Sequence, residues 1–180
     1  MELTRNYFEI FDLPVGFDID VPALTPLYRD LQKRYHPDRS AGSPAAEQRL
    51  AVQQAALINA AFDTLRQPVA RARYLLELAG HAVPMERATV SDIDFLNAQM
   101  ELREELDEVK TLEQLDGLRT EVQEWLDNLI REFGVDYRAA DWVEAADTVR
   151  KMQFMNRFLD ELKLVQERME DAEFDQEELD

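Results

Sequence analysis

The sequence predicts an all-α protein built as two small helical domains, and three observations carry that reading. Apolar residues recur at three- and four-residue intervals in both halves of the chain, the spacing that gathers side chains on one face of an α-helix. Prolines, glycines and capping residues punctuate those periodic stretches. The charge balance also changes near residue 80: residues 1–80 hold 9 Lys/Arg against 10 Asp/Glu, whereas residues 81–180 hold 11 against 28. At 180 residues and 46% hydrophobic content, the chain is long enough for two cores.

Tyr7 to Leu13 reads as a short helix, largely apolar and closed by Pro14 and Gly16. After a loop from Val15 to Pro22, a basic helix is expected from about Pro22 or Ala23 to His36. Leu24, Leu27, Tyr28, Leu31 and Tyr35 form its apolar stripe, and Arg29, Lys33 and His36 share the opposite face at ~100° per residue. Pro37 lacks an N–H and biases the residue before it away from helical angles, so the helix should end near His36 and leave Asp38 in the following loop. A cationic face with one acid held beside it is poor core material. It suits docking to an acidic partner that carries a complementary arginine.

Ser43-Pro44 reads as an N-cap followed by a first-turn proline, opening a long helix in which Ala51, Ala55, Ile58, Phe62 and Leu65 keep a 4-3-4-3 rhythm. That rhythm suits antiparallel packing against the basic helix, with His36-Pro37-Asp38 at the hairpin tip. Pro68 interrupts it, and Val69 to Leu78 gives another short helix ended by Gly80.

The tripeptide after the basic helix resembles the His-Pro-Asp loop of the J-domain, the module that stimulates DnaK-type ATP-driven chaperones. Tyr7-Phe8-Glu9-Ile10-Phe11-Asp12-Leu13, Ile58-Asn59-Ala60-Ala61-Phe62-Asp63-Thr64-Leu65 and the segment from Pro68 to Tyr74 match that module in order. The resemblance implies that Arg29, Lys33, Arg34, His36, Pro37 and Asp38 dock a chaperone, with Asp38 meeting an arginine at the junction of its nucleotide and substrate domains. The alternative is a proline-terminated helix whose His and Asp merely sit at a turn.

Residues 81–90 mark the expected linker, and residues 91–170 read as a three-helix bundle. Ser91 with Asp94 opens a helix to about Val109, and Thr111 with Gln114 forms a capping-box pattern for the next. Leu115, Leu118, Val122, Trp125, Leu129 and Phe133 make a heptad seam expected to close at Gly134. A third helix from about Ala139 to Glu170 places Ala145, Val149, Met152, Met155, Leu159, Leu162 and Met169 on one side. The acidic residues 171–180 read as a frayed or disordered tail.

The helix from Ser91 to Val109 carries two apolar stripes. Phe95, Leu102, Leu106 and Val109 cluster on one side, while Leu96 and Met100 lie well away, flanked by Glu101, Glu104 and Glu108. Phe154 points roughly opposite Met152 and is expected to join this second patch. Two readings stand: an apolar patch rimmed by acids for binding protein, or a wide buried face.

Phe95 to Glu108 and Ala145 to Phe154 resemble the hallmark segments of the HscB co-chaperones of iron–sulfur assembly, in their bacterial form. The resemblance implies that a C-terminal bundle binds the scaffold protein IscU and that the J-domain hands it to the DnaK-type chaperone HscA. By motif, the implied scaffold contacts are Leu96, Met100, Glu101, Glu104, Glu108 and Phe154; Asn97 stands where an apolar residue is often found.

Composition excludes much else. Without cysteine the chain forms no disulfide and offers no thiolate to zinc or an iron–sulfur cluster, so no metal or cofactor is expected. A net charge of −18 disfavours nucleic acid and anionic lipid as partners. No apolar run is long enough to cross a bilayer, and Met1 to Leu13 lacks the pattern of a secretory signal, so a soluble, cytoplasmic protein is expected. A small hydrolase using His36 and Asp38 as an acid–base pair is disfavoured because no nucleophile stands at recognisable spacing, so the protein is not expected to be an enzyme. A J-protein for general misfolded clients is the nearer alternative, but the glycine-rich linker and cysteine zinc motifs of such proteins are missing.

Overall fold

The computed structural model describes residues 6–40, 42, 44–82 and 93–177, with backbone alone for 39–40 and 173–177. Among these residues the chain forms seven α-helices and one 3-10 turn, with no strand. Two compact units divide between Ala79 and Gly80.

In the first unit, α1 (Tyr7–Ile10) starts at a capping box: Asn6 Oδ1 accepts from the Glu9 amide at 3.0 Å and the Glu9 carboxylate accepts from the Asn6 amide at 2.9 Å. The helix is shorter than the expected Tyr7 to Leu13. Its last turn is left at Asp12, whose φ of 54° reverses the chain before Pro14 is reached. Phe8, Ile10 and Phe11 are buried.

The basic helix α2 (Val21–Arg34) is capped by Asp20, which accepts from the Ala23 amide at 3.1 Å. It ends at Arg34, before His36, because the residue preceding Pro37 is pushed out of the helical region. The helix α3 (Ala45–Arg66) runs back antiparallel to α2. Tyr28 stacks on Phe62 with centroids 4.0 Å apart, and the Tyr28 hydroxyl donates to Asn59 Oδ1 at 3.0 Å. Ile58, Ala61 and Leu65 are fully buried along the seam and Leu24 nearly so, whereas Leu27 stays 40% exposed. Pro44 precedes α3 without a side-chain cap; Ser43 lies outside the described residues.

Gln67 is extended before Pro68, which takes the first position of α4 (Pro68–Leu78). Gly80 leaves that helix at φ 82°, a left-handed exit open to glycine. Tyr74 stacks on Tyr7 at 4.4 Å and accepts its amide N–H at 3.0 Å, which pins α1 against α4. Arg71 is buried, donates to the Leu65 carbonyl and lies 4.9 Å over the Phe17 ring. Burial pulls its guanidinium below the ordinary value, partly opposed by Asp18.

The second unit comprises α5 (Ile93–Glu108), α6 (Leu112–Ala139) and α7 (Trp142–Glu177). Thr111 and Gln114 form the expected capping box at the start of α6: Thr111 Oγ1 accepts from the Gln114 amide at 3.2 Å, and Gln114 Oε1 accepts from the Thr111 amide at 3.3 Å. Ser91 lies outside the described residues. Leu115, Leu118, Val122, Leu129 and Phe133 of the seam are buried, joined by Leu126, and pack against Ala145, Val149, Met152, Met155 and Leu162 on α7's inner side.

Three helix ends of the second unit differ from the sequence reading, the first being the start of α7 at Trp142 rather than at about Ala139. Gly134 does not close α6; it is buried inside the helix, which continues to Ala139 and is left at Ala140 with φ 55°. A glycine ends a helix where the chain must turn left-handed, and here an alanine makes that turn. The expected frayed tail is likewise helical as far as Glu177, because α7 continues past its last buried turn. Residues 83–92, which hold most of the expected linker, and residues 178–180 lie outside the described residues.

Candidate functional sites

The tip of the α2–α3 hairpin is formed by His36 and a 3-10 turn, Pro37–Ser40. The Asp38 amide donates to His36 Nδ1 at 3.3 Å, and the Asp38 carboxylate lies 3.6 Å from the same nitrogen. The Asp38 side chain is 90% exposed and that of His36 57% exposed, with Pro37 half-buried between them. The tip is therefore a fixed turn that holds a carboxylate in water.

Arg29, Lys33 and Arg34 are exposed along the outer side of α2 leading to that turn. Lys33 and Arg34 occupy the last helical turn, where cations complement the negative end of the helix dipole. Arg29 and Lys33 share one face of α2 and Arg34 lies on its flank, so three exposed cations lead to the exposed Asp38 carboxylate.

The second candidate site lies on α5. Its inner side carries Phe95 and Leu102, both buried, with Leu106 and Val109 half-buried. Leu96 is 37% and Met100 62% exposed, and Glu101, Glu104 and Glu108 are exposed on the same solvent face. Along the helix axis the face carries Leu96 and Met100 in its first two turns, beside exposed Asp94 and Asn97, and Glu101, Glu104 and Glu108 in its last two. Glu108 stands in the last turn, where the helix dipole disfavours an acid, and Glu104–Glu108 is a like-charge i,i+4 pair; each effect costs a few tenths of a kcal/mol. The α5 helix would be locally more stable without them.

Phe154 departs from the exposed position expected of it. It is only 9% exposed, packed edge-on against Phe95 at 5.7 Å and stacked on Phe158 at 5.9 Å. Opposite Met152 there is not solvent but α5, which covers that side of α7, so Phe154 supports the patch from beneath. Trp125 meets Phe95 edge-on at 5.6 Å, and Lys151, held by Asp147 at 3.3 Å, lies 5.7 Å over the Phe95 ring. Phe95 is the hub on which α6 and α7 fix the roll of α5, and with it the direction of Leu96 and Met100.

Ile93 is not among the residues the sequence analysis singles out, yet it is 71% exposed at the start of α5. The signal for it was the i, i+3, i+7 spacing of Ile93, Leu96 and Met100. Among the described residues, no group of three or more His, Asp or Glu side chains is close enough to hold a metal ion, and no helix is long and apolar enough to cross a membrane.

Comparison with known proteins gives the family. The HSCB C-terminal oligomerisation domain family matches residues 91–163, which include all of α5 and the whole aromatic hub. A co-chaperone protein HscB homolog from Acinetobacter baumannii is 44% identical over 168 residues, spanning 93% of this chain and 94% of its own. The chain belongs to the HscB co-chaperone family. The chaperone HscB from Vibrio cholerae superimposes with a TM-score of 0.81 at 37% identity, covering 91% of this chain and 99% of its own. Human co-chaperone protein HscB gives 0.86 at 27% identity, covering 91% and 83%. The HscB architecture identifies the first unit as a J-domain and the second as the family's C-terminal helical bundle.

Proposed function

We propose that this HscB-family protein binds an iron–sulfur scaffold protein of the IscU type through α5, delivers it to a DnaK-type chaperone of the HscA type through the α2–α3 tip, and stimulates that chaperone's ATPase. The observation that carries the reading is the solvent face of α5: apolar at Leu96 and Met100, acidic at Glu101, Glu104 and Glu108, and kept against the local preference of the helix. Such a face fits a partner with an apolar patch rimmed by Lys or Arg. Phe154 acts through Phe95, holding α5 in place.

At the other end, the Asp38 carboxylate receives an arginine of the chaperone while Arg29, Lys33 and Arg34 steer an acidic surface toward the tip. His36 and Pro37 hold the turn. Stimulation then requires that these contacts favour one conformational state of the chaperone over the other. A chain without cysteine serves iron–sulfur assembly by positioning another protein rather than by ligating the cluster through thiolates.

The test is single-turnover ATP hydrolysis by an HscA-type chaperone, with and without this protein and with and without an IscU-type scaffold. The expected result is stimulation by this protein that rises further with scaffold. No stimulation in either arm overturns the reading, and equal stimulation with a denatured chain in place of the scaffold favours a general J-protein.

A further inference from the structure

Ile93, Leu96 and Met100 lie within about 60° of one another around α5 at ~100° per residue, and on the side opposite Phe95 and Leu102. Their exposures are 71%, 37% and 62%, so none of the three is spent on the core. Single exposed aliphatics are ordinary on protein surfaces, but three in one stripe form a patch. Ile93 contributes little to the helix itself: it is β-branched, sits in the first turn and is mostly in water. Asn97 beside it is polar, so the apolar stripe passes around that position and extends toward the helix N-terminus.

We propose that Ile93 is a third apolar contact of the α5 docking face, so that the scaffold partner lies along the helix in one polarity, apolar surface over Ile93, Leu96 and Met100 and cationic groups over Glu101, Glu104 and Glu108. This rests on the scaffold-binding reading above. The occupant follows from continuity and charge: Ile93 extends the stripe that Leu96 and Met100 begin, and the acidic row that continues the same face selects a basic-rimmed partner over anionic surfaces.

Calorimetric titration of an apo IscU-type scaffold into the full chain tests it. Ile93→Ser should raise Kd about three- to tenfold, as expected for loss of a partly desolvated aliphatic contact, with the salt dependence of binding unchanged. Glu104→Gln should flatten that salt dependence. Leu96→Ser serves as the positive control. Val135→Ser serves as the negative control: it is an exposed valine on α6, ten residues or about 15 Å along the helix from Trp125. Leu96→Ser weakening binding while Ile93→Ser leaves Kd within twofold of the parent overturns this inference and leaves the scaffold reading intact. Unchanged Kd for both variants overturns the two together. A changed sedimentation coefficient for Ile93→Ser at unchanged scaffold affinity makes the stripe a contact between copies of this chain and also overturns the proposal.

Discussion

The amide of Asp38 donates to Nδ1 of His36 across 3.3 Å, while the Asp38 side chain is 90% exposed. The backbone amide meets the imidazole, and the carboxylate, 3.6 Å from the same nitrogen, stays accessible to solvent. Asp38→Ala should therefore abolish stimulation of an HscA-type ATPase while moving the thermal midpoint of the first unit by less than about 4 °C, because an exposed side chain of this kind contributes within about 0.5 kcal/mol. Retained stimulation in a steady-state ATPase assay removes Asp38 from the account.

Arg29, Lys33 and Arg34 are exposed rather than packed, so the docking role proposed for them rests on long-range attraction. Raising salt from about 0.05 to 0.5 M should slow chaperone association at least tenfold and change dissociation by less than threefold, measured by stopped-flow or surface plasmon resonance.

Leu96 and Phe154 should separate binding from folding. Leu96→Ala should cost about 1 kcal/mol or more of scaffold affinity with stability nearly unchanged. Phe154→Ala removes a buried ring between Phe95 and Phe158 and should destabilise the bundle by about 3 kcal/mol in urea, loosening α5 and weakening scaffold binding indirectly. A Phe154→Ala variant of undiminished stability contradicts the packing described here.

Ala140 leaves α6 with φ 55°, a conformation that costs an L-residue about 1 kcal/mol. Ala140→Gly should stabilise the second unit by up to about 1 kcal/mol, raising its midpoint by several degrees in calorimetry. A lower midpoint would mean that the backbone freedom of glycine in the unfolded chain outweighs the relief of strain.

Burial pushes the phenols of Tyr74 and Tyr137 above their ordinary value, and the Tyr7 amide donating to the Tyr74 oxygen only partly offsets the shift there. A raised folded-state pKa means that the unfolded chain releases the proton first. The neutral phenols thus favour the fold below about pH 10, and that advantage is lost as pH rises through the folded values. Denaturation midpoints followed by circular dichroism should fall above about pH 10. Tyr74→Phe should lower neutral-pH stability by about 1 kcal/mol, through the unmet Tyr7 amide, and reduce the alkaline loss from the first unit.

Local chemistry settled much of this molecule in advance. The periodicity of Leu115 to Phe133, the capping pair Thr111 and Gln114, the stop imposed by Pro37 and the separation of Leu96 and Met100 from Phe95 and Leu102 follow from spacing, because helix geometry turns spacing into faces. Tertiary packing decided what spacing leaves open. Phe154 lies buried since α5 happens to cover that side of α7, α6 passes through Gly134 and turns at Ala140, and Arg71 is drawn over the Phe17 ring. One helix's pattern says which residues share a side; only the helices packed against it determine whether that side meets protein or water.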